Sequence, residues 1–548
     1  VTNSGVKRYS DLRGDHLQPL YTKQTNEKYI LLAVQTKQSK ITMAQSARTT
    51  VFAGDEPISA DSEIIEKDGY IAQQLTFYAG ENKTIRAEKV VAVYTSRDHA
   101  ISEPALEACK TVKEAGGFEK LLKSHVQEWK QLWYRCDMEL EEGEFTQMIL
   151  RLHIFQILQT ASTNSIDLDM GIPARGWHGE AYRGHIFWDE LFVFPFLNLQ
   201  LPELARSLLM YRYRRMPEAR RAAREAGFKG AMFPWQSGSN GREESQELHL
   251  NPKSGKWDRD DTYLQRHVGA AIAYNIYQYY EATRDLEFMS FYGAEMLLEI
   301  ARFWSGIARW NPDRERFEIR GVVGPDEFHT RYPGSDNPGL DNNAYTNLMA
   351  VWVLEKALEI IDHLSETRKK ELFAELNIDE AELVRWDKIS RKMFIPFIEK
   401  GIISQFEGYN DLEEIDWDKY RKKYDDVQRM DRILKAEGDT PNRYKVGKQA
   451  DVLMLFYLFS VEKLKALFNR LGYEFDAEYI PQNVNYYLKR SSHGSTLSRL
   501  VYSWVLSRSD RERSWKAFQE SLKSDFEDVQ GGTTSEGIHL GAMAGTVD

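Results

Sequence analysis

In the stretch GVVGPDEFHT, which starts at Gly321, an acidic pair stands directly behind a Gly-Pro turn and is followed by an aromatic residue and a histidine. Carboxylic acids at such a place do one of two things. Asp326 and Glu327 either cap the next helix, because acids are favoured at helix N-termini, or one of them moves a proton. Similarly loaded loops recur along the chain: GIPARGWHGEAYRGHIFWDE, FPWQSGSNGREESQELHLNP, YKVGKQAD and SSHGSTLS. Pooled, they supply indoles, amides, a lysine and carboxylic acids. Acid catalysis at a glycosidic bond needs little more than these parts. A carboxylic acid protonates the departing oxygen while an acceptor attacks the opposite face of the ring.

Competing chemistries lack their parts. His178 and His185 are seven positions apart and His329 stands alone, so no HExxH zinc arrangement is present. HGSTLS holds a serine outside any G-x-S-x-G elbow. DVQGGTTSEG is glycine-rich without the Lys-Ser/Thr ending of a phosphate-binding loop. Neither a metal nor an organic cofactor is expected.

The elements that must position these loops fall into two kinds. Residues 1–100 read as short strands (YILLAVQT, KITMAQSART, YIAQQLTFYA and KTIRAEKVVAVYTS) separated by turn chemistry such as Asp68-Gly69. They suit an antiparallel β-sandwich whose start is incomplete, since residues 1–28 carry little pattern. Residues 101–140 read as a helical linker interrupted at Gly116-Gly117. From 141 to 548 amphipathic helices dominate, including EFTQMILRLHIFQILQTAST, LQRHVGAAIAYNIYQYYEAT, AYTNLMAVWVLEKALEIIDHL, ADVLMLFYLFSVEKLKALFNRL and STLSRLVYSWVLSR. Each unusual loop lies just upstream of one of these helices. If the helices alternate in direction within a closed bundle, those loops gather over one mouth.

Composition narrows the partners. The chain has 548 residues, more than one core usually supports. Its 72 Lys and Arg against 83 Asp and Glu leave a net charge of −11, which disfavours a nucleic-acid partner. No run is apolar enough to span a bilayer. Two widely spaced cysteines, Cys109 and Cys136, suit a reducing cytoplasm better than a disulfide scaffold. The first residue is Val rather than Met, so a processed or incomplete start is expected.

Taken together, RGHIFWDE, GPDEFH, DNNAYTN, KQADVLMLFYLF and TTSEGIHLGAMAGT resemble glycoside hydrolase family 65, which contains disaccharide phosphorylases and some inverting α-glucosidases. The resemblance covers most of residues 140–548. It implies a mainly α fold, an (α/α)6 barrel behind an N-terminal β-sandwich. It also implies an inverting phosphorylase that cleaves an α-linked glucoside or disaccharide with inorganic phosphate to give β-glucose 1-phosphate. On this reading Glu327 is the general acid, with its pKa raised by aromatic burial or by the charge of Asp326. Trp188, Asp189, Lys448 and Gln449 hold the cleaved glucosyl ring, Asp326 positions or caps, and Trp235 forms a stacking wall. Ser495, Thr496, Gly537 and His539 match the phosphate site, where a helix N-terminus favours an anion. The co-substrate is phosphate, and no metal is required.

Two departures from the family pattern stand out. Gly494 and Thr496 occupy positions where phosphorylases of the family commonly carry an acid and a second serine. The segments GPDEFHTRYPGSDNPGLDNNAYTN and GREESQELHLNPKSGKWDRDDTYLQRH are longer than in maltose phosphorylase and should border the leaving-group side. The alternative is an inverting α-glucosidase with a carboxylate base opposite Glu327, for which Glu536, and less directly Asp528 and Glu527, are candidates. Family members often form homodimers, and no sequence feature here marks an interface. The chain ends soon after EGIH, so the family's C-terminal β-domain is expected to be short or absent.

Overall fold

The computed structural model describes residues 16–25, 29–141, 143–177, 181–527, 534 and 537–548. The chain divides into two compact units. One runs through the N-terminal region to Asp137 and takes in Asn164–Asp169; the other holds Met138–Thr163 and Met170–Asp548.

In the first unit, strands β1 (Leu17–Thr25), β2 (Tyr29–Thr36), β3 (Thr42–Ala53), β4 (Glu56–Pro57) and β7 (Ile85–Thr95) build an antiparallel sheet. Within it β3 pairs with β2, β4 and β7. β5 (Asp61–Lys67) and β6 (Tyr70–Thr76) form a hairpin around Asp68-Gly69. One sheet face buries small and β-branched residues such as Ala33, Ala44 and Val90. Helix Pro104–Glu114, capped by the Glu103 carboxylate on the Leu106 amide at 2.7 Å, lies on β3 and β7. Its Ala105 and Ala108 pack with Leu31 and Ala44, where short side chains let the helix approach closely. The Gly116-Gly117 break ends this helix, and Phe118–Cys136 follows.

The second unit is mainly helical. Helix Glu190–Gln200 packs on Val268–Thr283, which packs on Ala344–His363. That helix meets Asp451–Leu458, which meets Thr496–Leu506. Thr496–Leu506 meets Leu540–Val547, and Leu540–Val547 returns to Glu190–Gln200. These six therefore pass contact round a closed circuit. Their residues are buried on nearly every face, as expected for helices enclosed by others. The apolar stretch ADVLMLFYLFSVEKLKALFNRL is two helices, Asp451–Leu458 and Val461–Arg470, because the Ser460 hydroxyl accepts the Lys463 amide at 3.2 Å and opens a new N-terminus. No helix among the described residues is long and apolar enough to cross a membrane.

Burial lowers four imidazoles of the helical unit, His153, His185 and His493 to about 4 and His267 to about 3. All four values lie below that of an unfolded histidine, so under pH 6.5 the unfolded chain takes up protons that the folded chain refuses. This contribution is present in full above pH 6.5 and is lost as pH falls toward 4. Each histidine is expected to cost on the order of 1–2 kcal/mol by pH 5. Thermal melts from pH 7.5 to 5 should show a falling midpoint. His267→Phe should flatten the curve, and a midpoint independent of pH would contradict this account.

Candidate active site

The N-terminal ends of the six circuit helices carry the chemistry. Asp189 precedes Glu190–Gln200, His267 precedes Val268–Thr283, and Asn343 precedes Ala344–His363. Gln449 and Ala450 precede Asp451–Leu458, Ser495 precedes Thr496–Leu506, and His539 precedes Leu540–Val547. Side-chain and backbone contacts join each end to the next. The His539 imidazole bridges the Asp189 carboxylate through Nε2 and the Thr496 hydroxyl through Nδ1. Because a carboxylate only accepts, Nε2 donates to Asp189. The Gly494 amide donates to the Lys448 carbonyl at 3.1 Å, and the Lys448 amide donates to Asp326 Oδ1 at 2.6 Å. The amide of Asn343 reaches Asp451 Oδ2 at 2.7 Å. The Tyr345, His267 and Trp188 rings then close the circuit, with His267 5.8 Å from Tyr345 and 4.9 Å from Trp188. Aligned helix N-termini concentrate partial positive charge at this end.

The acidic pair does not cap a helix. The next helix begins at Ala344, where Asn343 supplies the cap. Asp326 is buried and saturated. Besides the Lys448 amide, its carboxylate contacts His329 Nδ1 at 2.6 Å and accepts from Gln405 Nε2 at 3.1 Å. Its own amide donates to Asp451 Oδ1 at 2.6 Å. Burial, reinforced by the charge of Asp326, holds the Asp451 carboxyl well above the usual range. Gly324 is required above this carboxyl, since a Cβ there would stand 2.0 Å from Asp451 Oδ2.

Glu327 stands next to this hub in the left-handed region, at φ 63°. Rather than being enclosed by aromatic rings, its side chain is 30% exposed, and Oε2 accepts from Lys448 Nζ at 2.7 Å. Gln449 is anchored by Nε2 on the Pro325 carbonyl at 3.1 Å. Trp188 and Trp235 lie 6.2 Å apart, both mostly buried, and both pack on His267. Ser495 caps its helix, with Oγ accepting from the Leu497 amide at 3.3 Å. Gly537, at φ 112°, turns its carbonyl to Arg175, which donates at 2.9 Å. Glu536, Asp528 and His178 lie outside the described residues. Glu527 is exposed and pairs with Lys523 at 3.5 Å.

The departure at position 494 has a steric cause. A Cβ on Gly494 would fall 2.6 Å from the Gln428 carbonyl oxygen and 3.3 Å from Lys448 Cγ, leaving no room for an acid. Arg429 lies against the same glycine and pairs with Asp431 at 2.9 and 2.6 Å. Asp451, Asn343 and His267 lie inside segments quoted from the sequence without being named there as site residues, and Arg429 lies outside all of them. Asp451 and Asn343 had a local signal, since both adjoin the start of a helix. No metal-holding cluster of His, Cys, Asp and Glu occurs among the described residues.

The fold superposes on a putative kojibiose phosphorylase from the human microbiome with a TM-score of 0.78 at 24% identity, over 97% of this chain and 65% of that one. Residues 151–548 match the profile described as the Glycosyl hydrolase family 65 central catalytic domain, and residues 1–132 match its N-terminal domain. The chain belongs to glycoside hydrolase family 65. It is 49% identical, over its whole length, to an uncharacterized glycosyl hydrolase of Mycobacterium tuberculosis, of which it spans 41%. It is 36% identical to the trehalose 6-phosphate phosphorylase of Lactococcus lactis, across 94% of this chain and 65% of that protein. It is 35% identical to a kojibiose phosphorylase of Caldanaerobacter subterraneus, across 87% of this chain and 59% of that protein. The chain thus spans less than two thirds of each of these relatives.

Proposed function

We propose that the chain is the catalytic part of an inverting phosphorylase that cleaves an α-linked glucoside with inorganic phosphate, releasing β-glucose 1-phosphate and a free alcohol. The observation that carries this reading is the meeting of the Glu327–Lys448 pair with Asp189, His539 and Thr496 at the N-terminal ends of one helix circuit. We read that circuit as the inner ring of an (α/α)6 barrel.

In the proposed step Glu327 passes its proton to the glycosidic oxygen as the C1–O bond breaks. An oxygen of hydrogen phosphate forms the new bond to C1 from the opposite face, and the proton of hydrogen phosphate restores Glu327. Lys448 Nζ occupies the carboxyl oxygen that must reach the glycosidic oxygen, so on substrate binding Lys448 turns to a sugar hydroxyl and leaves Glu327 facing the bond to be cleaved. Trp188, Asp189 and Gln449 hold the glucosyl ring, Trp235 forms a wall beside it, and Asp326 fixes the loop that carries Glu327. Phosphate sits at the Ser495–Thr496 helix N-terminus beside Gly537 and His539. The reading requires no metal or organic cofactor. The low cysteine count, Cys109 and Cys136 alone, fits a cytoplasmic enzyme, and the partners are the glucoside and phosphate rather than nucleic acid or membrane.

Relatives are named for kojibiose, trehalose 6-phosphate, nigerose and 1,2-α-glucosylglycerol, all α-glucosides that differ in linkage or in leaving group. The test is release of glucose 1-phosphate and glucose from such substrates, with and without inorganic phosphate. Phosphate-dependent β-glucose 1-phosphate is expected. Free β-glucose at a rate indifferent to phosphate would make the protein a hydrolase and transfer attention to Glu536.

A further inference from the structure

His329, two residues beyond Glu327, has a hydrogen-bond acceptor at each end of its ring. Nδ1 stands 2.6 Å from Asp326 Oδ2, and Nε2 stands 2.8 Å from the Tyr444 carbonyl oxygen. A carbonyl oxygen only accepts, and so does an ionised carboxylate. A neutral imidazole carries a single N–H, so it satisfies one of these oxygens and turns a lone pair on the other. Both side chains are buried, His329 at 1% and Asp326 at 2% exposure, and a mismatch there finds no relief from solvent. The Asp326–His329 pair therefore needs two protons. Three donors converge on the Asp326 oxygens, from His329, from Gln405 and from the Lys448 amide, an arrangement that suits the ionised carboxylate. Both protons then belong to the ring.

The ring joins the two segments that meet at the Glu327–Lys448 pair. Asp326, Glu327 and His329 lie on one segment. Tyr444 and Lys448 lie on the other. The Thr330 amide adds a bond to Asn442 Oδ1 at 2.9 Å, and Phe328 and Val446 share one apolar cluster. Glu327 has a left-handed backbone and is bracketed by Asp326 and His329. Its place relative to Lys448 is thus set by bonds that its neighbours make.

We propose that His329 is a positioning residue for Glu327, acting as an imidazolium whose two N–H groups fasten the Asp326–Thr330 turn to the Tyr444–Lys448 segment. This rests on the reading of Glu327 as proton donor and adds the part that holds the donor in place. With one N–H fewer, either Asp326 or the Tyr444 carbonyl loses its donor, and the turn shifts against Lys448.

The first test needs no turnover. Nitrogen NMR of isotope-labelled histidine rings in the whole chain at neutral pH reads the hydrogens directly. His329 is assigned by its contacts with the rings of Phe406 and Tyr409, whose centroids lie 5.2 and 5.8 Å away. Hydrogen is expected on both Nδ1 and Nε2. In Asp326→Asn the new side-chain amide can donate to Nδ1, so His329 should become a neutral ring with hydrogen on Nε2 alone. A neutral ring in the wild type, or two ring hydrogens in Asp326→Asn, would overturn the assignment.

Kinetics test the positioning. His329→Gln has one donor and one acceptor in place of two donors. It should lower kcat on the glucoside by about 30-fold while the KM for inorganic phosphate stays within about twofold. On α-glucosyl fluoride, whose leaving group departs without a proton, the loss should stay under about threefold. His329→Asn is the second variant should His329→Gln not fold. An equal loss on both substrates would show that His329 supports the fold and does not place the donor. Absence of turnover by the wild type on every glucoside counts against phosphorolysis, while the spectra still decide the state of the ring.

Discussion

Glu327→Gln is expected to lower kcat for phosphorolysis by about 10³–10⁴-fold, because general acid catalysis contributes of that order where the leaving group is a sugar alkoxide. The amide keeps the size and the Lys448 contact but has no proton to give. The hub beneath it is made by Asp326 rather than by Glu327, so folding should be unaffected and the melting temperature should stay within about 2 °C. The decisive comparison uses α-glucosyl fluoride, whose leaving group departs without a proton. On that substrate the variant should recover to within about tenfold of wild type. An equal loss on both substrates would show that Glu327 binds or positions and does not deliver the proton.

The second large effect comes from a residue with no side chain. Gly324→Ala places a methyl 2.0 Å from Asp451 Oδ2 and 2.4 Å from Asn343 Nδ2. Neither atom can retreat at low cost, since Asp451 holds the Asp326 amide and Asn343 caps Ala344–His363 by accepting from the Thr346 amide at 2.9 Å. The expected cost is about 2–4 kcal/mol of stability, from overpacking together with a broken buried hydrogen bond. The displaced turn should cost about 10²-fold in kcat, the usual price of an ångström of misplacement. Gly321→Ala on the same loop is the control. It sits at φ 71° with nothing near its Cβ, so it should lose about 1 kcal/mol and no activity. If the two variants behave alike, loop strain rather than the Asp451 contact governs the site.

The sequence by itself determined which segments are helical, which loops are chemically loaded, and that FWDE, KQAD and SSHGSTLS run directly into helices, whereas the GPDEFHT and FPWQSG loops reach theirs only after further chain. These are local properties. Periodicity at i, i+3 and i+4 is written within one segment, and a Gly-Pro turn or a Ser at a helix start acts on its nearest neighbours. The motif residues of family 65 were legible for the same reason, since each motif is a short continuous run.

Tertiary structure decided which helix starts meet, because that depends on packing between segments far apart in the chain. Asp189 and His539 are 350 residues apart, and Glu327 and Lys448 are 121 apart. No local pattern marks either pair. The same holds for the acidic pair, whose composition suited a helix cap. Only the fold shows Asp326 spent on His329 of its own loop and on donors from two distant segments, Gln405 and Lys448, and Glu327 held against a lysine. The glycines make the point sterically. Gly321, Gly324 and Gly494 are indistinguishable as letters, and they differ in whether another chain segment occupies the space a Cβ would need.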